Sequence, residues 1–286
     1  MEQRHISPPS RPLLSGRLFD QLRTALGCKL APSAALAAER THLLDQIERG
    51  DVSFVQRTAL ECGAPPTPHE RQRALVLEAL ARAYDPHSRY LTAEALLRFQ
   101  AEAHVVGEAA PSARHQLREH AGQRIGVIQL PSFYLRAARS ASGDLRRACL
   151  ELKAQGARAL ILDLRGNGGG VQREAVLAFG VLAGGGPMAQ LRRRDHEPEA
   201  LRAPADLVAW SGPLLVQVDG GTASVAELLA AALQDHGRAL IIGQRTYGKG
   251  TGQTLVHLGS PRDVEEGAVD VTDRRFYRVD GRPLQR

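Results

Sequence analysis

Ala159-Leu160-Ile161-Leu162-Asp163-Leu164-Arg165-Gly166-Asn167-Gly168-Gly169-Gly170 decides the fold. Its first half is a short apolar run, Ala159 to Leu164, that stops at a glycine-rich turn, which reads as a buried strand. The same pattern extends in both directions. Upstream lie an apolar strand at Ile125 to Leu130 and a helix at Asp144 to Gln155. Downstream come a helix at Glu174 to Leu182, a strand at Leu214 to Val218 and an alanine- and leucine-rich helix at Ala226 to Gln234. Strands at Ala239 to Ile242 and Thr254 to Leu258 follow. Strand and helix in alternation predict an α/β layer fold with largely parallel central strands. Val269 to Arg278, with Asp280-Gly281 as a tight turn, adds a β segment at the end.

The first hundred residues read differently. Met1 to Ser15 is proline-rich and polar and is expected to be a disordered lead. Apolar residues at helical spacing then occupy Leu18 to Ile47 and Arg71 to Tyr84, separated by Ala64-Pro65-Pro66-Thr67-Pro68. Thr92 can cap a third short helix after the turn-like Asp85-Pro86-His87-Ser88, and Ala109 to His120 reads as a polar connection. The expected organisation is a lead at 1–15, a helical region at 16–115 and an α/β core at 116–286.

Composition bounds the function only loosely. With 286 residues and 43% hydrophobic content, the chain can bury one large core and a smaller module. Lys and Arg outnumber Asp and Glu by 37 to 31, but no aromatic-interleaved basic stripe or nucleic-acid recognition motif accompanies the excess. Arg192 to Arg194, the densest basic run, reads as a solvated loop face. The three cysteines, Cys28, Cys62 and Cys149, form no C-x-x-C pair and read as free thiols, with neither a zinc site nor a cofactor indicated. No apolar run is long enough to span a membrane. Gly16, Asp20, Arg23 and Lys29 interrupt the N-terminal apolar stretches, so no signal peptide is visible and the chain is expected to stay where it is made.

Chemistry concentrates in three loops. Gly168, Gly169 and Gly170 expose backbone N–H groups with no side chains in the way, at the C-terminal end of a strand, where open α/β folds bind their ligands. Ser224, in Val218-Asp219-Gly220-Gly221-Thr222-Ala223-Ser224, sits at a helix start, where free N–H groups and the dipole face a bound group. Lys249 lies 25 positions on, in Gly243-Gln244-Arg245-Thr246-Tyr247-Gly248-Lys249-Gly250. A hydroxyl needs a base to act as a nucleophile, and a desolvated lysine can supply one without histidine. Ser224 alone also fits a helix N-cap.

Two nucleotide-binding readings fail on detail. Gly166 to Val171 starts like a dinucleotide fingerprint but ends in Val171, with no acidic residue closing a strand about 20 residues on. The Gly243 to Gly250 stretch matches G-x-x-x-x-G-K, yet Gly250 replaces the magnesium-binding hydroxyl and a strand follows where a helix is needed. His87 and His236 read as turn histidines, since neither has a G-x-S-x-G elbow to serve.

These segments resemble the C-terminal processing peptidases, also called tail-specific proteases, Ser/Lys endopeptidases with a crotonase-like core. The resemblance runs through Asp85-Pro86-His87-Ser88-Arg89-Tyr90-Leu91, Pro131-Ser132-Phe133-Tyr134, Asp163 to Gly170, Thr222 to Glu227, Gln234-Asp235 and Thr246 to Gln253. Phe276-Tyr277-Arg278-Val279 is closest to the bacterial tail-specific branch. It implies Ser224 as nucleophile, Lys249 as general base and Gln253 as the acceptor that aims the lysine. It also implies Gly169 or Gly170 and Val225 as oxyanion donors, with Asp235 in a supporting part. Asp235 can equally fix the next turn by a hydrogen bond.

The lysine must be uncharged when it takes the proton, which asks for burial away from carboxylates; Tyr247 and the Ala239 to Ile242 strand are expected to supply it. The implied substrate is polypeptide, a C-terminal tail or unfolded segment, with an activating partner or homo-oligomer allowed. Relatives are usually periplasmic or exported.

Departures accompany the matches. About 33 residues lie between Leu91 and Ile125, too few for the PDZ module that relatives carry there, so none is expected. The family's C-terminal G-V-x-P-D strand has no counterpart before Arg286. Val225 and Ala226 stand where smaller residues are usual, and Val225 is expected to crowd the oxyanion site. A non-catalytic peptide-binding relative of the same fold is the alternative; a crotonase-like acyl-CoA enzyme leaves Ser224 and Lys249 unexplained.

Overall fold

The computed structural model describes residues 17–23, 58, 69–84, 88–97, 111–193, 196–258 and 267–285. The expected lead, Cys28, Cys62, His87 and Arg194 lie outside them. In chain order the labelled helices are α1 (His69–Tyr84), α2 (Ala141–Ala154), α3 (Gln172–Ala183) and α4 (Val225–Asp235). The strands are β1 (Arg89–Leu91), β2 (Arg114–His120), β3 (Gln123–Gln129), β4 (Ala159–Asp163) and β5 (Gly186–Arg193), then β6 (Glu199–Ala203), β7 (Leu214–Val218), β8 (Leu240–Gly243), β9 (Thr251–His257) and β10 (Ala268–Tyr277). They divide into two compact units, Met1–Gln100 with Gln253–Thr272, and Ala101–Gly252 with Asp273–Arg286.

In the first unit, residues 17–23 are helical and bury Leu18, Phe19 and Leu22. Thr92 caps the expected short helix at residues 93–97, its Oγ1 accepting the Ala95 N–H at 3.3 Å. β1 pairs antiparallel with the start of β10, Leu91 opposite Ala268, and these two residues bury a small core with Leu96.

The second unit holds the expected α/β core. Its sheet runs β2-β3-β4-β7-β8, with β3, β4, β7 and β8 mutually parallel and β2 antiparallel on the outside. Leu160, Leu162 and Val216 of the central strands are almost fully buried on the face that packs into the core, while Ile161 and Leu215 on the other face are half-buried. Ser140 starts α2, its Oγ accepting the Gly143 N–H at 3.2 Å, and left-handed Gly184 ends α3. Leu145, Leu152, Phe179, Leu229 and Leu233 from the three helices join one core with the strands.

Two stretches depart from expectation. Arg114 to His120 is strand β2, not a polar connection: only Leu117 is partly covered, and an edge strand exposed to water carries no apolar alternation to read. Arg192 and Arg193 lie on β5, opposite Arg275 and Arg274 of β10, not on a loop. With β6 they form an antiparallel layer that the arginine-rich sequence disguised. No helix among the described residues is long and apolar enough to cross a membrane.

Candidate active site

β4, β7 and β8 are adjacent and parallel, so the loops leaving their C-terminal ends share one edge of the sheet. Those loops are Leu164 to Val171, Asp219 to Ser224 and Gln244 to Gly250.

Asp219 binds the first two together. Its Oδ1 accepts the N–H groups of Gly166 and Gly221 at 2.9 Å and of Thr222 at 3.1 Å. The Gly166 N–H, with its neighbours, holds the Asp219 carboxyl below the ordinary carboxylate range. Buried Thr222 donates its hydroxyl to the Leu164 carbonyl at 2.9 Å. Beside them Arg165 grips Asp163 through Nε and Nη2 at 2.9 and 2.7 Å, which lowers that carboxyl in turn. The third loop joins through the Tyr247 N–H, which donates to the Thr222 carbonyl at 3.0 Å.

Ser224 leaves β7's loop with φ 59° and ψ −125°, outside the extended geometry of an ordinary N-cap. For a non-glycine residue such a backbone costs on the order of 1–3 kcal/mol and persists only where its surroundings impose it. Glu227, 4% exposed, imposes it. One oxygen, Oε2, accepts the Ser224 N–H at 2.8 Å and the Lys249 N–H at 2.9 Å, while Oε1 accepts the Gly248 N–H at 2.6 Å. The two bonds to Oε2 together set an upper limit on how far apart the Ser224 and Lys249 nitrogens can lie. Two residues 25 positions apart in sequence are thereby neighbours in space.

Lys249 is half-buried, and among the described residues its ammonium has no ion-pair partner. Its expected apolar cover is not where the sequence put it: Tyr247 is 62% and Leu240 65% exposed, because β8 is the edge strand of its sheet.

The glycine loop lies against the serine. A Cβ added to Gly169 would come within 2.9 Å of Ser224 Cβ and 3.2 Å of the Ala223 carbonyl oxygen, so only glycine fits. Gly169 is itself buried and spends its N–H on Asn167 Oδ1 at 2.9 Å, whereas Gly170 is exposed. Val225 is 3% exposed and its side chain belongs to the core.

Two further expected residues bond to other groups. Gln253 belongs to the other unit, where its Nε2 donates to Thr272 Oγ1 at 3.2 Å. Asp235, at the far end of α4, is clasped by Arg278 through Nε at 3.0 Å to each oxygen and through Nη2. It thus anchors the C-terminal segment, not the next turn. His236 contacts the Pro187 carbonyl at 2.9 Å and packs at a tilt against the Phe179 ring, as an ordinary turn histidine does. Glu227, Asn167 and Asp219 escaped the sequence reading. Only Glu227 carried a local signal, the Ser-x-x-Glu spacing of a capping box.

The family model described as "Peptidase family S41" matches residues 124–286. The tail-specific protease of Haemophilus influenzae is 38% identical over 172 residues, 57% of this chain and 24% of that protein. A carboxyl-terminal-processing protease of Synechocystis is 29% identical over 80% of this chain and 51% of its own length. The chain thus spans about half, or less, of these relatives. Among solved structures, a photosystem II D1 C-terminal processing protease shares the fold, with TM-score 0.59 and 19% identity over 97% of this chain and 91% of that one.

Proposed function

The chain belongs to peptidase family S41, and on that premise we propose that it is a serine endopeptidase acting on C-terminal tails or unfolded segments of proteins through a Ser224/Lys249 dyad. The observation that carries the reading is the shared carboxylate of Glu227, which draws the backbones of both residues onto one oxygen.

In the proposed reaction, Ser224 Oγ attacks the scissile carbonyl carbon while the uncharged Lys249 amine takes its proton. The carbonyl oxygen gains negative charge and is met by the N–H groups of Gly170 and Val225, the latter at the positive end of α4. Collapse expels the leaving amine, which takes the proton back from Lys249. A water activated by the same lysine then hydrolyses the acyl-enzyme. The part proposed for Gln253, aiming the lysine, rests on its place four residues beyond Lys249. Substrate lies extended beside the sheet, where backbone pairing gives affinity with little demand on sequence.

The test incubates the purified chain with casein beside Ser224→Ala and Lys249→Ala. Cleavage by the parent that both variants lose supports the dyad. Equal turnover in all three refutes it, and no cleavage by any favours a non-catalytic peptide-binding relative.

A further inference from the structure

Asn167 is fully buried, yet its side chain is polar and satisfied entirely by backbone. Its Nδ2 donates to the Leu130 carbonyl at 2.8 Å and its Oδ1 accepts the Gly169 N–H at 2.9 Å. Its own carbonyl accepts the N–H of Ala223, the residue before Ser224, at 2.9 Å, and its N–H donates to Leu164 at 3.0 Å. One side chain and its peptide groups therefore tie together the segment after β3, the end of β4, the glycine loop and the turn that carries the nucleophile.

The next peptide is fixed from its other side. The Gly169 carbonyl accepts the Phe133 N–H and the Val171 N–H donates to the Phe133 carbonyl, both at 2.8 Å. A trans peptide sets its N–H opposite its C=O, so the Gly170 N–H points away from Phe133. It has no acceptor among the described residues, and Gly170 is exposed. A Cβ on Gly170 would lie 2.5 Å from the Phe133 oxygen, so only glycine fits where these two bonds hold the loop against Phe133.

We propose that Asn167 is the positioning residue of the oxyanion site: by taking up the Gly169 N–H and anchoring Ala223, it leaves the Gly170 N–H, not that of Gly169, to meet the oxyanion and sets its distance from Ser224. The proposal rests on the reading of Ser224 as the nucleophile. Leucine of similar volume in this place would leave the Leu130 carbonyl and the Gly169 N–H buried without partners. Aspartate would keep an acceptor for Gly169 but turn an oxygen toward the Leu130 carbonyl.

The experiment combines kinetics with amide exchange in the full chain. Asn167→Ala is expected to lower kcat on a peptide substrate by about 10²–10³-fold, the loss typical of an oxyanion donor. KM should stay within about threefold, because the donor acts on charge that develops only in the transition state. In Asn167→Asp, activity relative to the parent should recover as pH falls, since a protonated carboxyl can again donate to Leu130. By NMR the Gly169 amide of the parent should be protected and that of Gly170 should exchange freely, with Gly169 losing protection in Asn167→Ala.

A kcat within threefold of the parent, or a loss confined to KM, overturns the proposal. So does equal protection of the two glycine amides in the parent. If Ser224→Ala turns over substrate like the parent, the dyad reading fails, and the exchange pattern alone decides whether Asn167 sets the loop. If Asn167→Ala does not fold, the aspartate variant and the parent's exchange pattern carry the test.

Discussion

Replacing Glu227 by glutamine removes the charge while keeping the shape. The carboxylate accepts three backbone N–H groups, at 2.6, 2.8 and 2.9 Å. Glutamine has one acceptor oxygen, and it is best placed where Oε2 now serves Ser224 and Lys249. Its NH₂ then faces the Gly248 N–H, donor against donor. One hydrogen bond to a charged group is lost, about 1.5–3 kcal/mol, and the two that survive weaken toward neutral strength. A net loss of about 2–4 kcal/mol in stability is expected. The kinetic effect is separate: a misplacement of about 1 Å between nucleophile and base can cost about 10²-fold. The assay is kcat and KM on a peptide substrate, beside thermal unfolding of the same preparations. Glu227→Gln should lower kcat at least about 10²-fold, with Glu227→Ala no milder, since alanine leaves all three donors unmet. Retention of kcat within threefold in either variant would show that the shared carboxylate does not set the dyad geometry.

Gly170→Ala should abolish measurable turnover and lower the melting temperature, because φ is +136° and the new Cβ would meet the Phe133 backbone. Among the carboxyls held below their ordinary range are Asp219, by the Gly166 N–H, Asp163, by Arg165, and Asp144, where burial acts upward but hydrogen bonds from Tyr134 and Arg139 outweigh it. Each binds its proton less readily folded than unfolded, so each stabilises above about pH 4 and that stability is lost as pH falls through the folded values. Melting temperature against pH should therefore drop steeply on the acid side, and Asp144→Asn should flatten that limb; an unchanged limb would contradict the assignment. The Cys149 thiol is buried and pushed up to about 12 by desolvation, so native protein at pH 8 should leave it unalkylated by iodoacetamide, as peptide mass mapping can check, until the chain unfolds.

The core was legible where burial wrote a pattern. Ala159 to Leu164 and Leu214 to Val218 are buried on one face and largely half-buried on the other, so their apolar runs give their strands almost to the residue. β2 and β5 were not, because an edge strand in water and a strand dense in arginine present polar sequences whose pairing is decided by distant partners. At the site, Ser224, Lys249 and the glycine loop stood out by residue type and spacing. What holds them did not. The strained backbone of Ser224 has no glycine to announce it, and Asn167 and Asp219 act through bonds to backbone groups that no side-chain motif encodes. The expected apolar cover over Lys249 failed for a topological reason: sequence does not say that β8 closes its sheet and leaves Leu240 in water.

The most direct measurement traps the acyl-enzyme. An activated peptide ester is mixed with the chain, quenched with acid during steady turnover, and the adduct is mapped by peptide mass spectrometry. The acyl group is expected on Ser224 in the parent, absent in Ser224→Ala and formed at least about 10²-fold more slowly in Lys249→Ala. Turnover with the acyl group on another residue, or undiminished in Ser224→Ala, would contradict the dyad.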